Sequence, residues 1–194
     1  MRHEITLEGS AFRLRPITYE DAALVVQLRT HPILGRFLHP TSNGVDQQLA
    51  WLAQYYERLG DYYFVVERIG TSIPEGVISI YDVDTQSDCG EWGRWILRPQ
   101  SLAAVESALL IYRCAFEFLN LNTVYCRTMA TNLSVVSFHD SCGLTDRKCL
   151  YGHFKMDGNN LDAIQHTIHL TQWPAVQKRL EKLATLTARR LLHA

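Results

Sequence analysis

The segment between the first two predicted helices is rich in side chains that bind ligands. It offers a guanidinium, two imidazoles, an aromatic ring and a hydroxyl, in Arg29, His31, Phe37, His39 and Thr41. Tyr81 lies on a later strand. An aromatic ring can stack on a nucleotide base while an arginine pairs with its phosphate. The pattern therefore indicates a nucleotide-binding surface, and the alternative is a helix-end arginine followed by ordinary loop residues.

A second candidate lies where a predicted strand meets a long apolar helix, in the stretch LRPQSLAAVES (97–107). The first turn of a helix has free backbone N–H groups, and the helix dipole favours an anion there. Ser101 can cap this helix, and Arg98 can add a positive charge. The stretch contains no glycine. It is interpreted as a serine-capped helix start, as an anion site, or as both.

The histidines and cysteines do not have the spacing of a metal site. His31, His39 and His139 are not spaced as ligands, and the five cysteines include no CxxC pair. We therefore expect no metal, no disulfide framework and a reducing, cytoplasmic compartment.

The composition is that of a globular protein with no strong electrostatic field. The chain has 194 residues, of which 47% are hydrophobic and 20% charged, and its formal net charge is −1. No apolar run reaches the roughly 18 residues of a membrane span, and the N-terminus lacks an apolar signal core. We therefore expect one domain over residues 1–194, with neither nucleic acid nor membrane as a partner.

Hydrophobic periodicity predicts seven strands and five helices. The strands are expected at 12–15, 62–68, 76–81, 91–97, 123–129, 150–155 and 163–170. The helices are expected at 22–28, 46–59, 101–120, 132–141 and from 171 onward. This order combines hairpins with one strand–helix–strand crossover. It predicts a mixed α/β (α+β) fold, with a mostly antiparallel, twisted sheet and helices on both faces.

The last predicted helix, 171–194, follows the last strand and is additional to the sheet and its other helices. Its predicted apolar face consists of Trp173, Val176, Leu180, Leu183, Leu186 and Leu191. Such a face must be buried. It can pack on its own domain, which we favour, or on a second copy in a homodimer.

Four motifs, in this order and spacing, resemble the GNAT family of acetyl-CoA-dependent N-acetyltransferases. They are FRLRPITYEDA (12–22), LRTHP (28–32), CAFEFLNLNTVYC (114–126) and TNLSVVSFHDSCGL (131–144). The closer likeness is to the RimJ/RimL-type branch, and LRTHP is similar to members that modify amino sugars on nucleotides. The resemblance runs from residue 12 to about residue 170. It implies a sheet whose fourth and fifth strands splay apart.

The resemblance also implies where acetyl-CoA binds. Its pantetheine arm would enter the gap and pair with the strand backbone at Trp95, Ile96 and Leu97. Its pyrophosphate would meet the start of the long helix, at Arg98, Ser101, Leu102, Ala103 and Ala104. The family loop has glycines where this chain has Gln100 and Leu102, so a side chain stands where backbone must approach phosphate. Asn132 is expected to contact the cofactor arm, and the alternative is a simple helix N-cap.

The implied catalytic residues are Glu91 and His139. Glu91 starts the splayed strand, where many relatives place a general base, and the alternative is a solvated strand-end carboxylate. Asp82 and Asp84 are weaker candidates in a polar turn. His139 stands seven residues after Asn132, where the family often has a tyrosine that donates to the cofactor sulfur. A histidine can donate a proton at neutral pH, and the alternative is a surface histidine.

The resemblance favours an N-acetyltransferase that moves an acetyl group to a primary amine of a small molecule, with a nucleotide-linked amino sugar as acceptor. A protein N-terminus is the second acceptor class. The missing glycines motivate a different alternative, a GNAT-like binding module that has lost its cofactor site.

Overall fold

Strands with apolar residues at alternating positions build one eight-stranded sheet. The computed structural model describes residues 2–192. The strands are β1 (Leu7–Glu8), β2 (Phe12–Pro16), β3 (Tyr62–Arg68), β4 (Pro74–Asp84), β5 (Cys89–Leu97), β6 (Thr123–Met129), β7 (Asp146–Met156) and β8 (Asn159–His169). Their order in the sheet is β1-β2-β3-β4-β5-β6-β8-β7. All neighbours are antiparallel except β5 and β6, which are parallel. The predicted mixed fold is confirmed, with the two-residue β1 as an additional strand.

Five α-helices cover the sheet. They are α1 (Ala22–Arg29), α2 (Val45–Tyr56), α3 (Ala104–Arg113), α4 (Leu133–Cys142) and α5 (Trp173–Leu192). Short 3₁₀ turns lie at Tyr19–Asp21 and Gly35–Phe37. Within residues 2–192, every helix is too short or too polar to span a bilayer.

Two hydrophobic clusters lie on opposite faces of the sheet. One contains residues of α3 and α5 together with Phe12, Phe64 and Trp92. The other contains residues of α1 and α2 together with Val65, Val77 and Ile96. Because successive strand residues point to opposite faces, neighbours such as Phe64 and Val65 enter different clusters. The sheet therefore carries helices on both faces, as predicted.

Helix α3 begins three residues later than the sequence predicts. The Ser101 N–H donates to the Arg98 carbonyl at 3.2 Å and closes a turn, and Gln100 within that turn has a φ of +63°. A proline followed by a residue with positive φ is typical of a type II turn, which delays the helix. At its other end α3 runs into a π-helical turn, Cys114–Phe118.

Helix α5 packs on its own chain. The Trp173 ring stacks on Phe116 at 5.4 Å between centroids, and Val176, Leu180, Ala184 and Ala188 are buried. Leu186 is 49% exposed, so its predicted place on the buried face is wrong. The buried residues follow a helical period that reaches Ala184 and Ala188, and this rotates Leu186 outward.

Candidate active site

The parallel pair β5–β6 is joined over only three residues. Residues 89–91 of β5 pair with residues 123–125 of β6. Beyond Glu91 the two strands diverge, and a cleft of about 940 Å³ opens there. The predicted splay is therefore present. It falls between the fifth and sixth strands because β1 precedes the strands that were predicted.

About half of the predicted site residues line the cleft. Its lining includes Arg29, Phe37, His39, Thr41, Tyr81, Glu91, Trp95, Asn132 and His139. Outside its lining lie His31, Ile96, Leu97, Arg98, Ser101, Leu102, Ala103 and Ala104. Most of the second group continues along β5 to the start of α3, beyond the cleft. The structure thus brings the predicted catalytic and acceptor residues together in the cleft, except His31, and places the predicted cofactor loop outside its lining.

Glu91 lies at the point where β5 leaves β6. Its side chain is 6% exposed, so the alternative of a solvated strand-end carboxylate is wrong. The Arg127 guanidinium donates to its carboxylate at 2.9 Å, and Tyr81, directly opposite on β4, also favours the ionised carboxylate. Burial raises the pKa of Glu91 above its usual value, against the lowering effect of Arg127. A buried carboxyl with a raised pKa is suited to accept a proton near neutral pH.

Arg94 is a cleft residue that the sequence analysis missed. It donates to both carboxylate oxygens of Asp61, at 2.6 and 3.0 Å, and its guanidinium lies 4.4 Å from the centre of the Tyr81 ring. The preceding Gly93 leaves space for Tyr81, because a Cβ there would come within 2.7 Å of the tyrosine hydroxyl. The sequence signal that could have identified Arg94 is the pair Gly93-Arg94 between two tryptophans, Trp92 and Trp95.

His139 is buried on α4 and is 2% exposed, so the surface-histidine alternative is wrong. Its Nε2 lies 3.5 Å from the Cys126 Sγ, and its ring meets Trp92 edge-on at 5.2 Å. Burial lowers the pKa of His139 to about 3, and nearby His166 adds to this effect. The imidazole is therefore neutral at physiological pH. It can donate a hydrogen bond but is a weak source of a full proton.

The start of α3 keeps the backbone shape of a glycine loop without its glycines. Gln100 occupies a left-handed conformation that favours glycine, and its side chain is exposed. Leu102 is 39% exposed, so neither side chain is packed into the protein. The Ala103 N–H donates to the Ser101 hydroxyl at 3.2 Å and is not free, contrary to the sequence prediction. Free helical N–H groups therefore begin at Ala104, the first residue of α3.

These features fit a bound pantetheine and pyrophosphate. The β5 backbone past Glu91 is not paired to β6, so its amide groups can bond an extended amide chain. The Trp95 indole donates to Ser107 at 3.1 Å and is thereby fixed beside this edge. Ile96 contributes only backbone, since its side chain is buried in the α1–α2 cluster.

Arg29 forms the wall of the cleft on the α1 side. Its Nε donates to the Thr41 hydroxyl at 2.5 Å, and its Nη2 donates to the His39 carbonyl at 3.0 Å. Both partners are neutral oxygens. Burial and the neighbouring charge of Arg94 lower the pKa of Arg29. His31, predicted for the same wall, instead accepts the N–H groups of Ile33 and Leu34 at 3.2 and 3.3 Å and shapes the turn after α1.

Cationic side chains outnumber anionic ones in the cleft. The lining includes the cations Arg29, Arg58, Arg94, Arg127 and Lys155. Among the described residues that line it, the carboxylate is Glu91. No group of three or more His, Cys, Asp or Glu side chains within residues 2–192 has the arrangement of a metal site. Arg94 is paired with Asp61 and Arg127 with Glu91, and Arg29 and Lys155 still give the lining an excess of positive charge that favours an anionic ligand.

The comparisons with known proteins agree on one family. Residues 12–145 match the family model described as "Acetyltransferase (GNAT) domain". A search of curated proteins found no match.

Solved structures share the fold at low sequence identity. A GCN5-related N-acetyltransferase from Brucella melitensis has a TM-score of 0.81 and 16% identity, over 93% of this chain and 85% of that one. Apo FdhC, described as a nucleotide-linked sugar GNAT, has a TM-score of 0.73 and 24% identity, over 92% and 99%. A mutant of the spermidine N-acetyltransferase SpeG from Vibrio cholerae has a TM-score of 0.74 and 18% identity, over 85% and 97%.

Proposed function

Because this chain belongs to the GNAT acetyltransferase family, we propose that it transfers the acetyl group of acetyl-CoA to the primary amine of a nucleotide-linked amino sugar. Within the family we infer that it belongs to the RimJ/RimL-type branch, from the order and spacing of its motifs, and the LRTHP motif favours the amino-sugar acceptor. The proposed compartment is the cytoplasm. Transfer is direct, with both substrates bound in the cleft between β5 and β6.

The observation that carries the choice of acceptor is the excess of cations in the cleft. Spermidine, the acceptor named for one structural neighbour, is a polycation, and the carboxylate that the cleft lining offers it, Glu91, is already paired with Arg127. The diphosphate of a nucleotide sugar has the complementary charge. FdhC, which has a similar fold, is described as a nucleotide-linked sugar enzyme.

Arg29 is the residue we assign to the acceptor's phosphate. Its guanidinium is held by two neutral oxygens and lies close enough to Arg94 for their charges to oppose each other. An anion beside them would offset that repulsion and form charge-assisted hydrogen bonds, which are about twice as strong as neutral ones. Phe37, also in the lining, offers an aromatic ring on which a base can stack.

Glu91 is assigned as the general base. The attacking amine must lose a proton, and Glu91 faces the cleft where the strands diverge. Burial raises its pKa, so the carboxylate is a stronger base than one in water, while Arg127 keeps it ionised. Trp92 and Trp95 line the same stretch and limit the access of water.

Acetyl-CoA, when bound, supplies the acetyl group as an activated thioester. We assign its arm to the backbone of Trp95, Ile96 and Leu97 with Asn132 opposite. The start of α3 is assigned to its pyrophosphate, with Ala104 as the first free N–H and Arg98, Ser101, Leu102 and Ala103 around it. His139 is assigned the role of hydrogen-bond donor to the leaving sulfur, because a neutral imidazole does not readily release a proton.

The test is a thiol-release assay with three classes of amine: nucleotide-linked amino sugars, spermidine and short peptides. We expect release only with the nucleotide sugars. Arg29→Ala should raise KM for that acceptor by about 10-fold to 100-fold, the loss expected for a charge-assisted contact. Arg189→Ala is the control, because Arg189 is an exposed arginine of α5 that lies outside the cleft lining. Preferential acetylation of spermidine or peptides would contradict the proposed acceptor.

A thermal-shift measurement addresses the alternative of a non-catalytic module. A ligand that binds only the folded state raises the melting temperature. We expect acetyl-CoA and CoA to raise it. No shift at millimolar CoA would favour the binding module over the enzyme.

A further inference from the structure

A β-bulge in β5 places Arg94 in a strained conformation. Val77 pairs with Ile96 and Ser79 pairs with Gly93, so two residues of β5, Arg94 and Trp95, stand opposite one residue of β4. Arg94 has a φ of +49°, in the left-handed region that side-chain-bearing residues avoid. Such strain persists where surrounding contacts hold it, and it occurs often at functional sites.

The contacts that hold Arg94 are specific. Its bidentate partner, Asp61, is 5% exposed and lies just before β3. Its guanidinium also lies near three aromatic rings, at 4.4 Å from Tyr81, 5.4 Å from Trp51 and 5.7 Å from Tyr63. A planar guanidinium that is paired on its edge and stacked on its face is fixed in both position and tilt.

Tyr81 connects Arg94 to the proposed base. Tyr81 and Glu91 are directly opposite residues of β4 and β5, so their side chains share one face of the sheet. The two side chains interact closely enough to shift each other's pKa. The tyrosine ring that lies against the Arg94 guanidinium therefore also presents its hydroxyl to the carboxylate.

We propose that Arg94 is a positioning residue for Glu91 and acts through Tyr81. The bulge turns the Arg94 side chain toward the cleft, Asp61 anchors it, and the guanidinium holds the Tyr81 ring where its hydroxyl meets the carboxylate. This inference rests on the proposed function, in which Glu91 accepts the proton of the amine.

Several other groups also act on Glu91. Those that interact with it from β4, β5 and β6 are Tyr81, Asp82, Arg94, Tyr125, Cys126 and Arg127. Arg127 and Arg94 favour the ionised carboxylate, and Asp82 opposes it. Loss of Arg94 removes one of the two positive charges and loosens the Tyr81 hydroxyl. Both changes favour the protonated acid, so the pKa of Glu91 should rise.

The experiment compares Asp61→Asn with the double variants Asp61→Asn/Arg94→Met and Asp61→Asn/Arg94→Lys. The shared Asp61→Asn background avoids leaving a buried aspartate without its cation, which could prevent folding. The first measurement is the pH dependence of kcat/KM. The second is a ¹³C NMR titration of the Glu91 carboxyl carbon, assigned with Glu91→Gln, which does not depend on activity.

With Met at position 94 we expect kcat to fall by about 10-fold, since general base catalysis as a whole contributes roughly 10² to 10⁴. The acidic limb of the profile and the carboxyl titration should both move up by roughly half a pH unit. With Lys the titration should return toward that of Asp61→Asn, because the charge is restored, while kcat stays low.

Two outcomes would overturn the proposal. One is a Glu91 titration that is the same in the unmodified protein, in Asp61→Asn and in Asp61→Asn/Arg94→Met. The other is a higher KM for the acceptor with unchanged kcat and pH profile, which would make Arg94 a direct acceptor contact. If the unmodified protein transfers acetyl to no amine, the proposed function fails, and the NMR comparison still decides the role of Arg94.

Discussion

Two buried titratable side chains face the cleft from opposite sides, and burial shifts their pKa values in opposite directions. Glu91 on β5 is 6% exposed and His139 on α4 is 2% exposed. Burial penalises the charged form of each, so it raises the pKa of the acid and lowers the pKa of the base. The carboxylate becomes a better proton acceptor, and the imidazole loses its usual capacity to donate a proton at neutral pH.

Their neighbours act on the two groups in different ways. Arg127 pairs with Glu91 and keeps its ionised form accessible. His139 has a sulfur, Cys126, at hydrogen-bond range and a second histidine, His166, at 5.1 Å between ring centroids. A nearby imidazole disfavours a second positive charge. One side of the cleft is therefore arranged for proton transfer and the other for neutral hydrogen bonding.

Paired substitutions to glutamine test this contrast directly, and they should give the largest effect. Glu91→Gln removes the base and should lower kcat/KM by about 100-fold or more. His139→Gln keeps an N–H donor of similar reach and should lower it by no more than about 3-fold. Thiol release at pH 7.5 is the measurement, with the acetyl-CoA thermal shift as the control for folding and binding. A similar loss in both variants would show that His139 moves a proton.

The free energy of unfolding at low pH is a second test of the contrast between Glu91 and His139. Because the folded pKa of His139 is about 3, below its unfolded value near 6.5, the unfolded state binds the extra proton first. This group therefore removes about 1.4 kcal/mol of stability for each pH unit below roughly 6.5, or about 2 kcal/mol at pH 5.

Urea unfolding at pH 7.5 and pH 5, with His139→Gln for comparison, measures that loss. The variant should lose about 2 kcal/mol less than the unmodified protein between the two pH values. Glu91 has the opposite sign, since its folded pKa is raised: its contribution is present below the unfolded pKa and is lost as pH rises through the folded pKa. Equal losses in the two proteins would contradict a buried, neutral His139.

The smallest effect is expected at the start of α3, where burial is not involved. Gln100 is exposed but adopts a φ of +63°. Gln100→Gly should stabilise the protein by about 1 kcal/mol, because glycine adopts this conformation without strain. The melting temperature without ligand measures it, and Pro99→Ala is a control in the same turn. If Gln100→Gly were destabilising, the side chain would have a contact that outweighs the strain.

Much of the fold was accessible from the sequence. β6 was predicted at its observed bounds, and α4 within one residue of its observed bounds at each end. Local rules failed at the start of α3, where the turn at Pro99 and Gln100 uses the residues that were expected to begin the helix. They also failed for Leu186, because several helix faces satisfy a leucine-rich pattern and packing selects one.

For the candidate site, the sequence by itself determined which chemical groups are available: Arg29 was named from its residue type and position, and Glu91 and His139 from the resemblance to the family. Only the tertiary structure decided what those groups can do. Protonation depends on burial and on neighbours that are distant in sequence, such as Arg127 for Glu91 and His166 for His139. Arg94 was overlooked because its role depends on a bulge and on Asp61, 33 residues away. Neither the strain nor the pairing is visible until β3, β4 and β5 lie side by side.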